Sequence, residues 1–410
     1  MKIKYRASRG THDIFGENIL AMNTLETKAR NIFKRYGFEE IKTPIFEETA
    51  LFLHSIGQST DIVNKELYTF NDKSGRSLSL RPEGTTSIVR YFLENKFDLL
   101  KDIKKMFYIG EMFRYERPQL DRYRQFNQIG AEFFGNSSPA ADAEIIVLAL
   151  EILSSIGVKN VNVQINSLGC RICRPAYKNK LLEYLKSIKE LCKNCENRLK
   201  INPLRILDCK IDKIKMIDIP SIIKYLCNNC KHDFDILMSL LDSMKCKYKV
   251  NERLVRGIDY YTKTVFEVYS KKKNKKAILG GGRYNDLIKN IGGKDTSAVG
   301  FALGSERVLT LIKDSYEPKP SEKIFIAIAD KELLNEAFVF HMKMIKLRLK
   351  PTTIFGPFSN KSLTKQLKLA NKMKIFKVII FAKKEYIANK IIFRNMNTNT
   401  QKLIPISKII

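Results

Sequence analysis

The stretch from Tyr108 to Gly135, YIGEMFRYERPQLDRYRQFNQIGAEFFG, constrains the fold more than any other part of the chain. Two strand-length runs flank a charged loop, Arg117 to Arg124, and residue types alternate along each run, which predicts an antiparallel hairpin. Polar side chains on one face are costly to bury unless they pair with each other or with a ligand. We interpret this face as a binding platform; a solvated outer face is the alternative. It comprises Arg114, Glu116, Gln128, Gly130 and Glu132.

Two further segments place polar groups where a strand gives way to a helix. Ser77 to Leu80 alternates as a strand, and a proline and a glycine then interrupt it before a predicted helix. Glu83 and Thr85 lie at this turn, a common position for ligand groups, although Thr85 could equally cap the helix. Small residues alternate from Gly300 to Gly304, and Arg307 follows near the start of the next helix, where a guanidinium can join backbone amides in binding an anion.

The cysteines suggest a metal site. Cys170 with Cys173 and Cys192 with Cys195 form two CxxC pairs separated by 18 residues, which fits a four-thiolate zinc site in a reducing compartment. We therefore predict structural Zn²⁺ at these four residues, with reduced cysteines that bind no metal as the alternative. The remaining cysteines are a third CxxC pair, Cys227 and Cys230, together with Cys209 and Cys246.

Composition limits the partners and the location. A chain of 410 residues with 44% hydrophobic content can form two or three domains. Its apolar runs are shorter than the roughly 20 residues of a membrane span, and its N-terminus lacks the apolar core of a signal peptide, so we expect a cytoplasmic protein without a membrane partner. The net charge of +30 favours nucleic acid as a partner, although a Lys-, Asn- and Ile-rich composition can also reflect a biased genome.

Periodicity divides the chain into regions. An amphipathic helix from Asn18 to Tyr36 precedes a short strand that ends at Pro44. Strand character returns at Leu254 to Tyr261, and Gly280 to Tyr284 brings flexible backbone that suggests close approach to a ligand. In the last region strands alternate with helices, which indicates a small α/β domain around a mostly parallel sheet. The predicted regions are a core at 1–167 and 249–313, a helical insertion at 168–248, a linker at 314–322 and a terminal domain at 323–410.

Three stretches, in order, resemble the three motifs of class II aminoacyl-tRNA synthetases: the helix and strand ending at Pro44, the FRYERP hairpin, and GFALGSER. LVRGIDYY, from Leu254, and GGRYND, from Gly281, are similar to signatures of the histidyl-tRNA synthetase family, as are RGTHD and RPEGT. The resemblance covers residues 1 to about 313. It implies an α+β fold in which an antiparallel-sheet catalytic core carries a helical insertion and a small C-terminal α/β domain that binds the anticodon.

The resemblance implies ATP-dependent ligation of L-histidine to its tRNA through a histidyl-adenylate, with release of AMP and pyrophosphate. The attacking carboxylate is already anionic at pH 7, so the reaction needs positive charge at the phosphates instead of a side-chain nucleophile. Arg114 and Arg256 would hold the α-phosphate, Arg307 the γ-phosphate, and Mg²⁺ the remaining oxygens. Glu116 completes the implied ATP site.

The implied histidine site distinguishes the two ends of the amino acid. A carboxylate and a phenol can pair with the two ring nitrogens of an imidazole, and such polar pairs reject analogues that lack them. The implied residues are Glu83, Thr85 and Gln128 for the ammonium group, and Glu132, Tyr260 and Tyr261 for the imidazole.

The resemblance also implies a homodimer across the Pro44 region and contact between Arg117 to Arg124 and the tRNA acceptor end.

Three alternatives remain open at this point. The first is the non-catalytic regulatory subunit of ATP phosphoribosyltransferase, which is expected to lack the last domain and several site residues. The others are an RNA-binding module derived from a synthetase and a class II synthetase of different amino-acid specificity.

Overall fold

The computed structural model describes residues 5–57, 60–100, 102–119, 122–188, 190–271, 277–313, 322–347, 352–357 and 361–408. Residues up to 313 belong to one compact unit and those from 322 to a second. Residues 314 to 321 of the predicted linker lie outside the described ranges. None of the described helices is long and apolar enough to cross a membrane.

The first unit contains helices and strands in alternating groups. Its helices are α1 (Glu17–Arg35), α2 (Thr49–Ile56), α3 (Thr85–Glu94), α4 (Phe97–Leu100), α5 (Pro139–Ser155), α6 (Cys173–Lys186), α7 (Lys193–Ile201), α8 (Asn228–Ser243), α9 (Leu287–Asn290) and α10 (Ser305–Ile312). Its strands are β1 (Glu39–Glu40), β2 (Phe46–Glu48), β3 (Thr69–Asn71), β4 (Ser77–Leu80), β5 (Lys104–Phe113), β6 (Gln125–Phe134), β7 (Val161–Ser167), β8 (Tyr248–Val250), β9 (Thr262–Ser270), β10 (Ala277–Arg283) and β11 (Ala298–Gly304).

An eight-stranded sheet organises this unit, with strand order β1-β5-β6-β11-β10-β9-β7-β8. The pairs from β5 to β7 are antiparallel, and β1 and β8 add parallel edges. The predicted hairpin is confirmed as β5 and β6, which pair from Lys104 opposite Phe134 to Phe113 opposite Gln125. Ile129, Ala131 and Phe133 of β6 pack into a hydrophobic cluster with α1 and α5. The polar residues of β6 therefore face the other side of the sheet.

A separate three-stranded sheet, with order β2-β4-β3, leads directly into α3. Its pairing aligns Phe46 with Leu80 and Thr69 with Ser79. The predicted strand Ser77 to Leu80 and the helix after it are confirmed. This sheet brings the turn that carries Glu83 and Thr85 to the polar face of the main sheet, because Arg81 after β4 donates hydrogen bonds to the carbonyls of Glu111 on β5 (2.9 Å) and Thr43 (2.9 Å).

One sequence-based expectation about the strands was wrong. Residues 254 to 261 form turns and irregular loop instead of a strand, because side chains and distant backbone satisfy their polar groups: Asn166 donates to the carbonyl of Leu254 (3.0 Å), and the amide of Asp259 donates to Ile56 (3.2 Å). The glycines from 280 to 282 lie within β10, paired with β9 and β11 on both sides. The register with β9 shifts between Gly282 and Arg283, and the expected close approach of these glycines to a ligand stays a prediction.

Between β7 and β8 the described residues form helices, turns and loops. Besides α6, α7 and α8, they include 3₁₀ helices at Pro203–Asp208, Asp212–Ile214 and Ile222–Tyr225. Tyr177, Leu181 and Ile206 of this insertion belong to the same hydrophobic cluster as Tyr260 and Tyr261. The insertion therefore packs against the loop that precedes β9.

The second unit is a five-stranded sheet of order β13-β12-β14-β15-β16 with helices between strands. The predicted elements up to β14 are confirmed, but a final antiparallel pair was not foreseen, so the sheet is mixed and not mostly parallel. Two hydrophobic clusters share the strands of this sheet. The elements are β12 (Glu322–Ile328), α11 (Leu334–Lys346), β13 (Thr352–Phe355), α12 (Leu363–Lys372), β14 (Lys377–Phe381), α13 (Lys383–Ile387), β15 (Lys390–Asn395) and β16 (Thr400–Pro405).

Candidate active site

A cavity lies on the polar face of the main sheet, with an empty volume of about 1050 Å³ that includes open solvent. It is bounded by β6, β9, β10 and β11, by the turn before α3 and by the loop from 254 to 261. Every residue predicted to bind histidine or ATP lines it. These residues are Glu83, Thr85, Arg114, Glu116, Gln128, Glu132, Arg256, Tyr260, Tyr261 and Arg307.

Glu132 is a buried carboxyl in the lining of the cavity. Its side chain is fully buried; the hydroxyl of Thr85 donates to its Oε1 (2.8 Å), and the hydroxyl of Tyr284 donates to its Oε2. Burial raises the pKa of Glu132 to about 8, although the two hydroxyl donors act in the opposite direction. In the absence of a ligand this carboxyl can therefore hold a proton at neutral pH.

Glu83 and Thr85 have different partners: Glu83 caps the helix α3, and Thr85 contacts the cavity carboxyl of Glu132. The carboxylate of Glu83 accepts hydrogen bonds from the amides of Thr85 and Thr86, both at 2.8 Å, and so satisfies the first turn of α3. The proposed capping role of Thr85 was wrong, because its hydroxyl points to Glu132. Gln128 accepts from the hydroxyl of Tyr108 (3.4 Å) beside these groups.

Tyr260 and Tyr261 add aromatic rings to the lining of the cavity. They are 6% and 7% exposed, and Tyr260 contacts Tyr284 edge to face with ring centroids 5.5 Å apart. Two buried phenols and a buried carboxyl around one space suit a small planar ring with polar edges.

Arg256 lines the cavity and forms an ion pair with Glu267 of β9. Burial is the largest single effect and would lower the pKa of Arg256, but Glu267 together with Tyr261 and Tyr260 outweighs it, so the pKa lies above its ordinary value. Tyr269 donates a hydrogen bond to the other carboxylate oxygen of Glu267. The Nε of Arg256 is buried and has no hydrogen-bond partner among the described residues. An acceptor on a ligand would satisfy it.

The lining of the cavity contains further cations. Arg114 donates to the carbonyl of Pro82 (2.9 Å), and Arg307 donates to the carbonyl of Ala277 (2.8 Å). Glu116 forms an ion pair with Arg122, and burial raises the pKa of Glu116. We call the lining around Glu83, Thr85, Gln128 and Glu132 the acidic end, and the lining with Arg114, Arg256 and Arg307 the cationic end.

Glycines on β10 and β11 create the space for these side chains. A Cβ at Gly300 would lie 1.9 Å from Oε2 of Glu132, and one at Gly280 would lie 2.3 Å from the guanidinium of Arg256. The alternating small residues of β11 thus leave room for the polar groups of neighbouring elements.

Sequence analysis missed three residues of this site. Tyr284 binds Glu132, Glu267 neutralises Arg256 and Tyr108 contacts Gln128. Tyr284 follows the glycine run, which was itself a signal of a site. Glu267 lies in an alternating strand, where one carboxylate carries no distinguishing pattern.

The cysteines lie outside this cavity, in the insertion, and the predicted grouping of Cys170, Cys173, Cys192 and Cys195 was wrong. The two pairs lie in separate clusters. Cys173 is the first residue of α6, whereas Cys192 precedes α7, and each pair is completed by other residues of the insertion. The four-thiol cluster contains Cys170, Cys173, Cys227 and Cys230, and the three-thiol cluster contains Cys192, Cys195, Cys209 and Asp212.

The main sheet carries the hairpin of β5 and β6 and the glycine-rich strand β10, and Arg307 lies on the helix α10 that follows β11. The hairpin, the two strands and the helix all border one cavity. This arrangement defines the core of a class II aminoacyl-tRNA synthetase. The family model described as histidyl-tRNA synthetase matches residues 10–187 and 223–308. The chain therefore belongs to the histidyl-tRNA synthetase family.

Individual relatives agree with this assignment over nearly the whole chain. The histidine–tRNA ligase of Endomicrobium trichonymphae is 54% identical and covers 99% of this chain and 100% of its own length. That of Halothermothrix orenii is 44% identical, with coverage of 99% and 98%. The crystal structure of apo S. aureus histidyl-tRNA synthetase superposes with a TM-score of 0.81 at 30% identity, covering 99% of this chain and 98% of that one.

The pKa of Glu132 predicts a pH-dependent stability. Between its ordinary value of 4.5 and about 8, the folded protein retains a proton that the unfolded chain releases, so the free energy of unfolding falls as pH rises through this window. In Glu132→Gln the amide does not titrate. Denaturation midpoints measured without ligands from about pH 5 to about pH 8 should therefore fall further for the wild type than for this variant.

The exposed Glu94 provides the control, because Glu94→Gln should leave the pH dependence close to that of the wild type. A constant difference in midpoint between wild type and Glu132→Gln across the range would contradict a raised pKa at Glu132.

Proposed function

We propose that this protein attaches L-histidine to its tRNA in two steps, activation of histidine by ATP and transfer of the histidyl group to the tRNA, and that both occur in the cavity. The observation that carries the proposal is the convergence of Arg114, Arg256 and Arg307 on one cavity that also contains the buried Glu132. The family membership supports the same chemistry, and the basic net charge of +30 suits a tRNA partner.

The acidic end would bind histidine. Its ammonium group would interact with Glu83, Thr85 and Gln128, which all line the cavity. The imidazole would lie against Tyr260 and Tyr261 with one ring nitrogen paired with Glu132. A protonated Glu132 can donate to a neutral ring and an ionised one can accept from it, so both states of the pair remain matched.

The cationic end would bind ATP. A histidine carboxylate oxygen would attack the α-phosphorus. The bond between the α-phosphorus and the oxygen that bridges it to the β-phosphate would break, and pyrophosphate would leave. Arg114 and Arg256 would stabilise the growing charge on the α-phosphate, and Arg307 would hold the γ-phosphate. The 3′-hydroxyl of the terminal tRNA ribose then attacks the acyl carbon, and AMP leaves.

Mg²⁺ fits this end of the cavity because carboxylates line it beside the expected phosphate position. Mg²⁺ usually binds through one or two carboxylates together with phosphate oxygens. Glu116 and Glu306 line the cavity and would be those carboxylates, and Glu116 would then exchange its ion pair with Arg122 for the metal. When bound, the ion would neutralise phosphate charge, in addition to the arginines.

The remaining assignments follow from the same proposal. The enzyme would act in the cytoplasm, the loop from 117 to 124 would approach the tRNA acceptor end, and the second unit would bind the anticodon. The non-catalytic alternative is less well supported, because the arginines of the cavity and the last unit are both present. Zinc in the insertion is a separate proposal that rests on the cysteine clusters.

Replacement of Arg256 tests the catalytic proposal. Arg256→Ala should lower histidine-dependent ATP–pyrophosphate exchange by about 10²- to 10³-fold, because it removes a charge that acts on the transition state. Arg256→Lys retains the charge but not the planar fork, so it should recover part of the rate. Exchange assays and circular dichroism spectra of both variants would be recorded.

Arg76, which is 71% exposed and pairs with Asp72, offers the control, and Arg76→Ala should exchange at the wild-type rate. Near-normal exchange by well-folded Arg256→Ala would refute the role of Arg256.

A matched pair of glycines tests the histidine site. Gly300→Ala should displace Glu132 and raise the KM for histidine by about tenfold or more, since a disturbed buried hydrogen bond costs on the order of 1 to 3 kcal/mol. Gly304→Ala lies on the same strand, but its nearest contact, with Arg307, would be an ordinary 3.7 Å, so it should change the KM for histidine little. Equal effects of the two changes would argue against a histidine site at Glu132.

The proposed homodimer has a candidate surface near Pro44. Ile45, Phe46 and Phe70 are 45%, 52% and 44% exposed, and the two Phe rings are in contact, so their burial against a second copy would be favourable. Sedimentation should give twice the chain mass of 47.4 kDa. Phe46→Glu should shift the protein towards the single-chain mass while Phe338→Glu, an exposed apolar residue of the second unit, should not. A wild-type monomer would contradict the assignment.

A further inference from the structure

We propose that the helical insertion binds two zinc ions, one in the four-thiol cluster and one in the three-thiol cluster, and that they hold the insertion against the loop of residues 254 to 261. In each cluster the ligand atoms all lie within 4.8 Å of one another. Tetrahedral zinc with Zn–S bonds of about 2.3 Å places sulfur atoms about 3.8 Å apart. The corresponding distances are 3.6 Å for Cys170 to Cys173, 4.0 Å for Cys170 to Cys227 and 3.8 Å for Cys192 to Cys209.

The four-thiol cluster is built from two helix N-termini. Cys173 is the first residue of α6, and Cys227 immediately precedes α8. The positive end of each helix dipole therefore points towards sulfur atoms that must become thiolates when they bind a cation. Backbone amides add to this effect: Ile172 donates to the sulfur of Cys170 (3.4 Å) and Cys227 donates to that of Cys173 (3.1 Å).

The three-thiol cluster contains a buried carboxylate, Asp212, whose Oδ2 accepts from the thiol of Cys209 (3.7 Å). Asp212 is 1% exposed, and the ion pairs found among the described residues do not include it. Its oxygens accept from the amide of Cys192 at 3.0 and 3.3 Å, and its own amide donates to the sulfur of Cys209 (3.3 Å). A divalent cation among three thiolates would compensate the cost of burying this charge.

Other uses of the cysteines explain the geometry less well. All eight cysteines are free thiols, and two disulfides would leave neither Asp212 nor the convergence of four sulfur atoms explained. An iron–sulfur cluster inserts several atoms between its thiolates and therefore needs a wider cage than this one. Ligand atoms this close together leave space for a single ion, and sulfur-rich tetrahedral sites favour zinc.

The four-thiol cluster is connected by hydrogen bonds to the backbone of Tyr261, which lines the cavity. The amide of Lys263 donates to the carbonyl of Gly169 (2.9 Å), next to Cys170, and the amide of Leu168 donates to Lys263 (2.6 Å). Arg174, next to Cys173, donates to the carbonyl of Leu168 (3.2 Å) and also to that of Tyr261. A metal that fixes Cys170 and Cys173 would therefore also fix the backbone of Tyr261.

The three-thiol cluster is connected to the same loop through Asn202. Cys209 directly follows the 3₁₀ helix Pro203–Asp208, and Asn202 at the start of that helix donates to the carboxylate of Asp259 (2.9 Å). The two clusters thus both connect to the second half of the loop, at Tyr261 and Asp259, next to Tyr260. The metal sites stand independently of the proposed function; only their importance for this loop rests on it.

Metal analysis of the full-length protein, purified under reducing conditions without chelator and dialysed against Zn²⁺ and then buffer, tests the two sites. We expect two zinc ions per chain in the wild type, one in Cys227→Ser, one in Cys209→Ser and none in the double variant. Cys246→Ser is the control and should retain two, because Cys246 lies in neither cluster. Co²⁺ substitution should give distinct thiolate absorption spectra for the two single variants.

Any of three results would overturn the proposal: a wild type with fewer than two tightly bound zinc ions, iron in place of zinc, or unchanged zinc content in the two single variants. Hydrogen exchange of folded Cys227→Ser and Cys209→Ser tests the effect on the loop. Residues 254 to 261 should exchange faster than in Cys246→Ser and the wild type, and equal exchange would disprove that zinc stabilises the loop. Failure of the proposed function would appear in pyrophosphate exchange and would leave the zinc content unchanged.

Discussion

The buried carboxyl of Glu132 is the constraint on which the rest of the cavity depends. A carboxyl with no exposed surface is tolerated only where hydrogen bonds satisfy its oxygens. The donors, Thr85 and Tyr284, are 47 and 152 residues away along the chain, and Gly300 provides the space. The start of α3, the end of β10 and the middle of β11 must therefore meet around one side chain, so the same packing that satisfies Glu132 also assembles the acidic end of the cavity.

Sequence reasoning succeeded where the geometry of an element determines the outcome. The side-chain period of a strand is two, so the alternation in the hairpin predicted that Gln128 and Glu132 share a face opposite Ile129 and Ala131. The polar turn before α3 was predictable from a strand that ends at a proline and a glycine. The grouping of these segments around one cavity came from the resemblance to the family, because periodicity carries no information about which segments meet in space.

Sequence reasoning failed where contacts between distant segments decide the outcome. A run such as Leu254 to Tyr261 has strand composition, but the amide of Asp259 bonds to Ile56 and the carbonyl of Leu254 bonds to Asn166, so no neighbouring strand is needed. The CxxC spacing predicted metal-ligand pairs but not their combination, since Cys227 meets Cys170 only because α6 and α8 begin side by side. Glu267 was likewise visible only once β9 and Arg256 were adjacent.

The cations of the cavity differ in what holds them, and this difference bears on how they would act. Arg114 is held by the carbonyl of Pro82, a neutral acceptor that fixes the guanidinium without cancelling its charge. Arg256 is instead paired with Glu267, which keeps a buried guanidinium stable when no ligand is bound. In the proposed function a nucleotide phosphate would accept from the Nε of Arg256, which has no partner within the described part of the chain, and would compete with Glu267 for the charge of the guanidinium. That competition favours the phosphate most when negative charge grows on its oxygens, so Arg256 would contribute more to the transition state than to ATP binding.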